Sequence, residues 1–372
     1  MNKKLWLTLV SAAVLGLTGC SNDSPKPDNG KKPDPEPEVE EVPVFIMSGQ
    51  SNMEGSTLWR LNDKNLLKEY MDEAGEDYSV IEKGIDSVLT SYYGYYYPNG
   101  WKQAHSSSVD KSTPQARLTP NFLPTTVGMG VADTRPDQGI VADSFFGPEL
   151  GMAYKLNQVY EGNETIHLIK CAFSGSGFEK TDGANWKNRE DSSLTEEQNA
   201  AKSLYYLLKR YTNNCLKVIE DAGKKPVIKG FVWHQGESDT GNANYQTQME
   251  TLIKDFRDDY AEYATDGEGK NIAFLDCTIY DGPNNPYGGG DGVNAGINAK
   301  KKNIAAKGQL NSSDENYEKN FLIDATFTET GMKLEIGDLS KGGYNTYHYN
   351  TKDAFVLGEA YADLILNNNL LD

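Results

Sequence analysis

Five short, almost uninterrupted apolar runs, separated by stretches of helical periodicity, restrict this chain to a sheet of parallel strands covered by helices. They are Val42–Met47 (VPVFIM), Ile166–Phe173 (IHLIKCAF), Val227–Trp233 (VIKGFVW), Ile272–Ile279 and Phe321–Phe327. Runs of this length suit strands, and a strand that is apolar on both faces must be covered on both. Between the second and third runs, Thr195 and Gln198 form a capping box. Leu204, Leu208, Tyr211, Cys215 and Val218 then follow at three and four spacing and predict the inner face of one helix. A second helix is predicted from about Asn244 to Tyr263, with Met249, Leu252, Ile253 and Phe256 inward. A last one runs from about Thr351 to Asn367, carrying Phe355, Ala360, Leu364 and Ile365. The alternation predicts a three-layer α/β/α domain with a mostly parallel five-stranded sheet. Two regions break it: an insert at about 55–144, without clear strand and helix rhythm, and a Gly- and Asn-rich loop opening 281–308. Long insertions at strand ends usually shape a ligand site.

The amino end belongs to no fold. Lys3 and Lys4 precede the apolar run Leu5–Leu17, which is too short to span a bilayer and reads as a signal peptide over residues 1–20. It ends in Leu17-Thr18-Gly19-Cys20, which resembles a bacterial lipobox; that resemblance implies cleavage before Cys20 and acylation of its thiol. Residues 21–41 (SNDSPKPDNGKKPDPEPEVEE) carry too little apolar surface to offset their ordering entropy and predict a disordered tether. Tether and anchor together place residues 42–372 at a bacterial cell envelope, in the periplasm or at the outer surface, held to a membrane by lipid. The formal charge of −18 becomes two units more negative when Lys3 and Lys4 are lost, and such a surface repels phosphate backbones, so no nucleic-acid partner is expected. Cys171, Cys215 and Cys277 sit in apolar stretches without a CxxC and read as buried thiols.

The chemistry begins just after the first run, at Ser48-Gly49-Gln50-Ser51-Asn52-Met53-Glu54-Gly55. A serine at the carboxyl end of a parallel strand stands where open α/β sheets place ligands, and Gly49 allows the tight turn that presents it. A serine nucleophile needs a base. Of the four histidines, His167 lies inside a strand, where a core imidazole is expected, and His105 lies in a Ser-rich insert with nothing to orient it. His234, at a strand end, and His348, in the loop before the last helix, remain.

The stretch Gly49–Gly55 resembles the first block of the SGNH hydrolases, in the branch that holds sialate O-acetylesterases and the acetylxylan-esterase-like family 6 carbohydrate esterases. Phe146-Gly147-Pro148-Glu149-Leu150-Gly151 is similar to that branch's Gly-Pro-Glu-Leu segment. Ser174-Gly175-Ser176-Gly177-Phe178 falls where the branch has a Gly-rich turn, and Trp233-His234-Gln235-Gly236-Glu237-Ser238-Asp239 matches its Trp-x-Gln-Gly-Glu-x-Asp. The resemblance implies a flavodoxin-like fold and a serine esterase that removes O-acetyl groups from carbohydrate through an acetyl-enzyme, with no cofactor and no metal. It also implies His348 as the base of Ser51, and the Ser51 and Gly175 amides with the Gln235 side chain as oxyanion donors.

In one place the chain departs from the broad pattern: Asn345 stands three residues before His348, where an aspartate is usual. The branch can use the glutamate of Gln-Gly-Glu instead, which implies Glu237 as the acid; Asp338, Asp239, Asp353 or no acid at all remain open. Trp101, within the aromatic stretch Ser91–Trp101, together with Trp186, His234 and Tyr347, are the residues expected to meet the sugar. Acetylated plant polysaccharide or another acetylated glycan is the expected substrate, with sialate as the alternative. From a different class, a glycan-binding lipoprotein without catalysis is compatible with Asn345.

Overall fold

The first strand shows why the chain folds as it does. β1 (Glu41–Gly49) is buried from Val42 onward. Val42, Val44 and Ile46 enter one apolar cluster while Phe45 and Met47 enter another, the alternation expected of a strand covered on both faces. The computed structural model describes residues 39–93, 95–97, 100–102, 120–131, 135–141, 143–188, 191–282, 294–314 and 316–372. The signal peptide, Cys20 and all but the last three residues of the expected tether lie outside the described residues.

Six further strands join β1: β2 (Ile85–Tyr92), β3 (Leu123–Thr125), β4 (Ile166–Ala172), β5 (Lys225–His234), β6 (Ala273–Cys277) and β7 (Asn320–Ile323). Their order across the sheet is β7-β6-β5-β1-β4-β2-β3. Every neighbouring pair is parallel except β2 with β3. The sheet therefore has seven strands, not the five expected. The five apolar runs keep the order second-first-third-fourth-fifth, and the two additional strands come from the insert at 55–144 and extend one edge. β2 was hidden by its composition: Asp86, Ser87, Thr90 and Ser91 interrupt its apolar residues. Two of these are buried all the same, because Thr90 shares a hydrogen bond with Thr125 at 2.7 Å and Ser91 with the Tyr211 hydroxyl at 2.8 Å.

Among the described residues, nine α-helices serve this frame: α1 (Ser51–Glu54), α2 (Leu66–Ala74), α3 (Tyr78–Lys83), α4 (Glu149–Val159), α5 (Glu196–Lys202), α6 (Leu204–Asp221), α7 (Tyr245–Asp259), α8 (Ala295–Ala306) and α9 (Thr351–Asn367). Leu67 and Met71 of α2, Leu150 and Leu156 of α4, and Phe355 and Tyr361 of α9 pack with Phe45 and Met47. Leu208 and Tyr211 of α6, Leu252 and Phe256 of α7, and Ile297 and Ile304 of α8 pack with Val44 and Ile46. The helix expected after Thr195 is two helices. The capping box opens the short α5, and Ser203 ends it in extended backbone and caps α6 by accepting from the Tyr206 amide. Val218 is 41% exposed and lies outside the inner face assigned to it. Cys171, Cys215 and Cys277 are buried free thiols.

Strand register brings three turns to one level. Gly49 pairs with Ala172 of β4 and with His234 of β5, so three strands end level with one another. β1 lies between them, where the strand order reverses; open α/β sheets bind their ligands outside the carboxyl ends at such a point.

Candidate active site

Ser51 opens α1 immediately past this point. Gly49 has a φ of +141°, and a Cβ there would lie 2.1 Å from the His234 carbonyl oxygen, so only glycine lets β1 run this close to β5. The Gln50 amide donates to that same carbonyl at 2.9 Å, and the Gln50 side chain accepts from the Ser238 amide at 3.2 Å. On the other side, the Phe173 amide donates to the Gly49 carbonyl at 3.0 Å. The carboxylate of Glu54 accepts from the Ser174 amide at 2.8 Å and from the Ser174 hydroxyl. This fixes the Ser174–Gly175 turn against α1. Among the described residues neither the Ser51 nor the Gly175 amide donates a backbone hydrogen bond. Gly175 has a φ of +71°, and the space its missing side chain would fill is open.

The carboxyl end of the chain reaches this point through Asn52. Its Nδ2 donates to Glu237 Oε1 at 2.9 Å, and its Oδ1 accepts from the Tyr349 amide at 3.4 Å. The residues beside Ser51 and beside His348 are thus bonded to each other, and both to the Gln-Gly-Glu turn. Thr57 donates to the Tyr349 carbonyl at 2.9 Å, and Thr351 to the Leu58 carbonyl at 2.6 Å, stitching the His348 loop to the segment after α1. His348 is 8% exposed, with the ring of Tyr344 stacked at 6.0 Å. Glu237 is buried, and burial alone would push its carboxyl up. The imidazole of His234, with Nε2 3.5 Å from Oε1, and the Asn52 amide hold it below the usual carboxylate value instead.

Three expectations need correction. Gln235 is fully buried, and its amide nitrogen donates to Asp239 at 2.7 Å and to the Ser176 carbonyl at 3.3 Å. Both its hydrogens are spent on holding the turn, so it does not offer a donor to an oxyanion. Trp186 has no exposed surface; its Nε1 donates to Ser176 at 2.8 Å and its ring stands edge-on to Trp233 at 5.0 Å, which supports the Gly-rich turn from beneath. His234 is also fully buried and meets Glu237 and the Tyr349 ring, not the surface. Tyr347 is 40% exposed beside the base. Trp101 lies in a short ribbon whose side chains fall outside the described residues, while Tyr92 and Tyr93 from the same aromatic stretch are core. Among the acids left open, Asp239 is engaged with the Phe178 amide, Gln235 and Asn242. Asp338 caps Ser340, and Asn345 accepts from the Tyr347 amide within its own turn.

Sequence reasoning missed the parts played by Asn52 and Glu54 and two buried ion pairs. Lys170 of β4 bonds Glu149 of the Gly-Pro-Glu segment at 2.6 Å, and Lys301 of α8 bonds Asp276 of β6 at 2.6 Å, all four side chains at most 3% exposed. The lysine inside IHLIKCAF was the available signal, because a cation in such a run must have a partner.

Residues 112–265, under half of the chain, match the family model described as carbohydrate esterase, sialic acid-specific acetylesterase. The match takes in Gly175, Gln235 and Glu237 and stops short of both Ser51 and His348. No curated protein matches the sequence. Among solved structures, the chain is similar to NanS at 14% identity and a TM-score of 0.49, over 89% of this chain and 98% of that one. It is similar to a protein from Arabidopsis thaliana at 17% and 0.44, over 89% and 99%. A third is XAC1771, titled a novel carbohydrate acetylesterase from Xanthomonas citri, at 16% and 0.47, over 87% and 55%. By the family match the chain is a carboxylic ester hydrolase, of the kind that removes O-acetyl groups from carbohydrate.

Proposed function

We propose that Ser51 is the nucleophile of this esterase, His348 its base, and Glu237 the acid that orients His348. Ser51 Oγ attacks the acetyl carbonyl carbon while His348 takes the hydroxyl proton. The oxyanion that forms is met by the Ser51 and Gly175 amides, each of the kind whose removal typically costs about a hundred- to thousand-fold in turnover. Collapse expels the sugar oxygen, which takes the proton from His348. A water molecule then repeats the sequence on the acetyl-enzyme and releases acetate. The observation that carries this reading is the Asn52 side chain, which binds the Tyr349 amide with one atom and Glu237 with another.

The substrate we propose is a neutral acetylated polysaccharide, because the strongly acidic chain disfavours an anionic sugar. Sialate is the second reading, supported by the description of the matching family and by a cation near the base: the Arg135 guanidinium lies 4.6 Å over the Tyr344 ring that stacks on His348. Acetate release from acetylated xylan, as the neutral substrate, against sialoglycans and acetylated pectin, as the anionic ones, with Ser51→Ala as control, tests both readings. Turnover of sialoglycan alone would reverse the order, and wild-type turnover by Ser51→Ala would remove the mechanism.

The proposal extends to location. The lipobox-like Leu17–Cys20 and the polar tether support a lipid anchor at the cell envelope, with Cys20 as the acylated residue.

A further inference from the structure

We infer that His234 is a positioning residue for the Glu237 carboxylate: together with Asn52 it occupies Oε1 and thereby directs Oε2 to the catalytic base. This rests on the Ser51, His348 and Glu237 reading above and adds to it a second histidine, one that meets no substrate.

The burial is what forces the inference. Both ring nitrogens of His234 are buried and make no hydrogen bond among the described residues, and Glu237 Oε1 stands 3.5 Å from Nε2, within a small shift of bonding distance. A neutral imidazole has one N–H to place, and the tautomer protonated at Nε2 aims it at this carboxylate. Protonating Nδ1 as well would bury a second N–H without an acceptor, which is costly. Asn52 Nδ2 donates to the same Oε1 from the opposite end of the site. Oε2 is buried and takes no hydrogen bond among the described residues. With Oε1 bonded by Asn52 and approached by His234 Nε2 at 3.5 Å, and Oε2 open, the tilt of this carboxylate is set from the Oε1 side.

The other groups packed around His234 leave Glu237 as its partner. The ring of Tyr349 stands edge-on at 5.7 Å, so the residue next to the base packs on the same imidazole. From β6, Asp276 bears on His234, but its charge is met by Lys301 at 2.6 Å, and burial pushes its carboxyl up. Cys277, beside it, has its thiol pushed up by burial and is uncharged at neutral pH. From α9, the Tyr361 hydroxyl donates to the Trp233 carbonyl at 2.7 Å and is neutral as well. Glu237 is left as the unneutralised carboxylate that His234 faces.

Without the His234 donor, burial acts on Glu237 less opposed and its carboxyl rises. A protonated Glu237 cannot support the imidazolium of His348, so activity is lost at the acid end and returns as pH increases. The test is the pH profile of kcat for an aryl acetate, measured on the full chain carrying His234→Phe or His234→Gln, with Ser51→Ala alongside. His234→Phe should move the acid limb up by about one pH unit, lowering kcat up to roughly tenfold at pH values below the wild-type limb, with KM and the kcat at neutral pH little changed. His234→Gln, whose amide nitrogen stands near the position of Nε2, should return the limb toward wild type. An unmoved limb in His234→Phe, or a uniform loss of kcat in both variants, would overturn the inference and leave His234 as packing. Activity in Ser51→Ala would instead strike the reading beneath it. Should His234→Phe fail to fold, nitrogen-15 spectra of the four histidines in the wild-type chain decide the matter. A proton on Nε2 of His234 is required near pH 7.5, and a proton on Nδ1, or on both nitrogens, contradicts it.

Discussion

Replacing Lys170 by methionine should unfold this protein more readily than almost any other single change outside the site. Lys170 is fully buried in β4, with Nζ 2.6 Å from Glu149 Oε2, 2.8 Å from the Met129 carbonyl and 4.8 Å over the ring of Tyr92. Glu149 is equally buried, and its other oxygen accepts from the Gly147 amide at 3.0 Å. Methionine fills much of the lysine stem, so little cavity opens. What is lost is the cation, which leaves a carboxylate stranded in the core. Removing one partner of such a pair costs about 3–5 kcal/mol, and the abandoned Met129 carbonyl adds about 1 kcal/mol. Against a total stability of roughly 5–15 kcal/mol, a loss of about 5 kcal/mol is large. Adding Glu149→Gln removes the stranded charge and keeps an acceptor for Gly147, and should recover about 2 kcal/mol. Urea unfolding of the full chain, followed by tryptophan fluorescence, reads both values from the midpoint at constant slope. A loss under about 1 kcal/mol in Lys170→Met, or a double variant no more stable than the single one, would refute an ionised buried pair.

Three other outcomes are expected. Glu54→Ala releases the Ser174–Gly175 turn and with it one oxyanion donor, so kcat for an aryl acetate should fall about a hundred-fold while KM changes little. Asp353 is raised by burial from 3.8 to about 6, so the folded chain holds that proton more tightly than the unfolded one. The resulting contribution is present at about pH 4 and lost as pH rises through about 6; Asp353→Asn should therefore raise the melting temperature at pH 8, by at most about 3 kcal/mol of stability, and match wild type near pH 4. Finally, Cys20→Ser should abolish incorporation of an alkyne-labelled fatty acid in a bacterial host and move the protein from the membrane fraction to the soluble one. Retained labelling would remove the proposed anchor.

What the sequence disclosed reflects which forces act locally. The five apolar runs were legible because strands covered on both faces need apolar residues at consecutive positions. β2 was not, since its buried Thr90 and Ser91 depend on Thr125 and Tyr211, partners chosen only by the tertiary fold. The break at Ser203 was equally hidden, because the capping box and good helix formers of Glu196–Lys202 lead straight into the apolar spacing that begins at Leu204. In the site, the turns after β1, β4 and β5 could be read because glycine and polar residues at strand ends are there for backbone reasons. Whether Gln235 faces the substrate or Asp239 is a choice between two acceptors that no linear pattern encodes. Trp186 failed as a sugar contact for a related reason: an aromatic beside a Gly-rich turn serves a surface or a core equally well, and here Ser176 and Trp233 draw it inward. Asn52 stood in plain view within the first motif, yet its two bonds reach residues 185 and 297 positions along the chain.

Trapping the acetyl-enzyme tests the central claim most directly. Wild-type protein mixed with excess aryl acetate and quenched in acid within milliseconds should carry one acetyl group on the peptide containing Ser51, and His348→Ala should carry almost none. An acetyl group found on any other residue, or a full burst of product with Ser51 unmodified, would contradict nucleophilic catalysis by that hydroxyl.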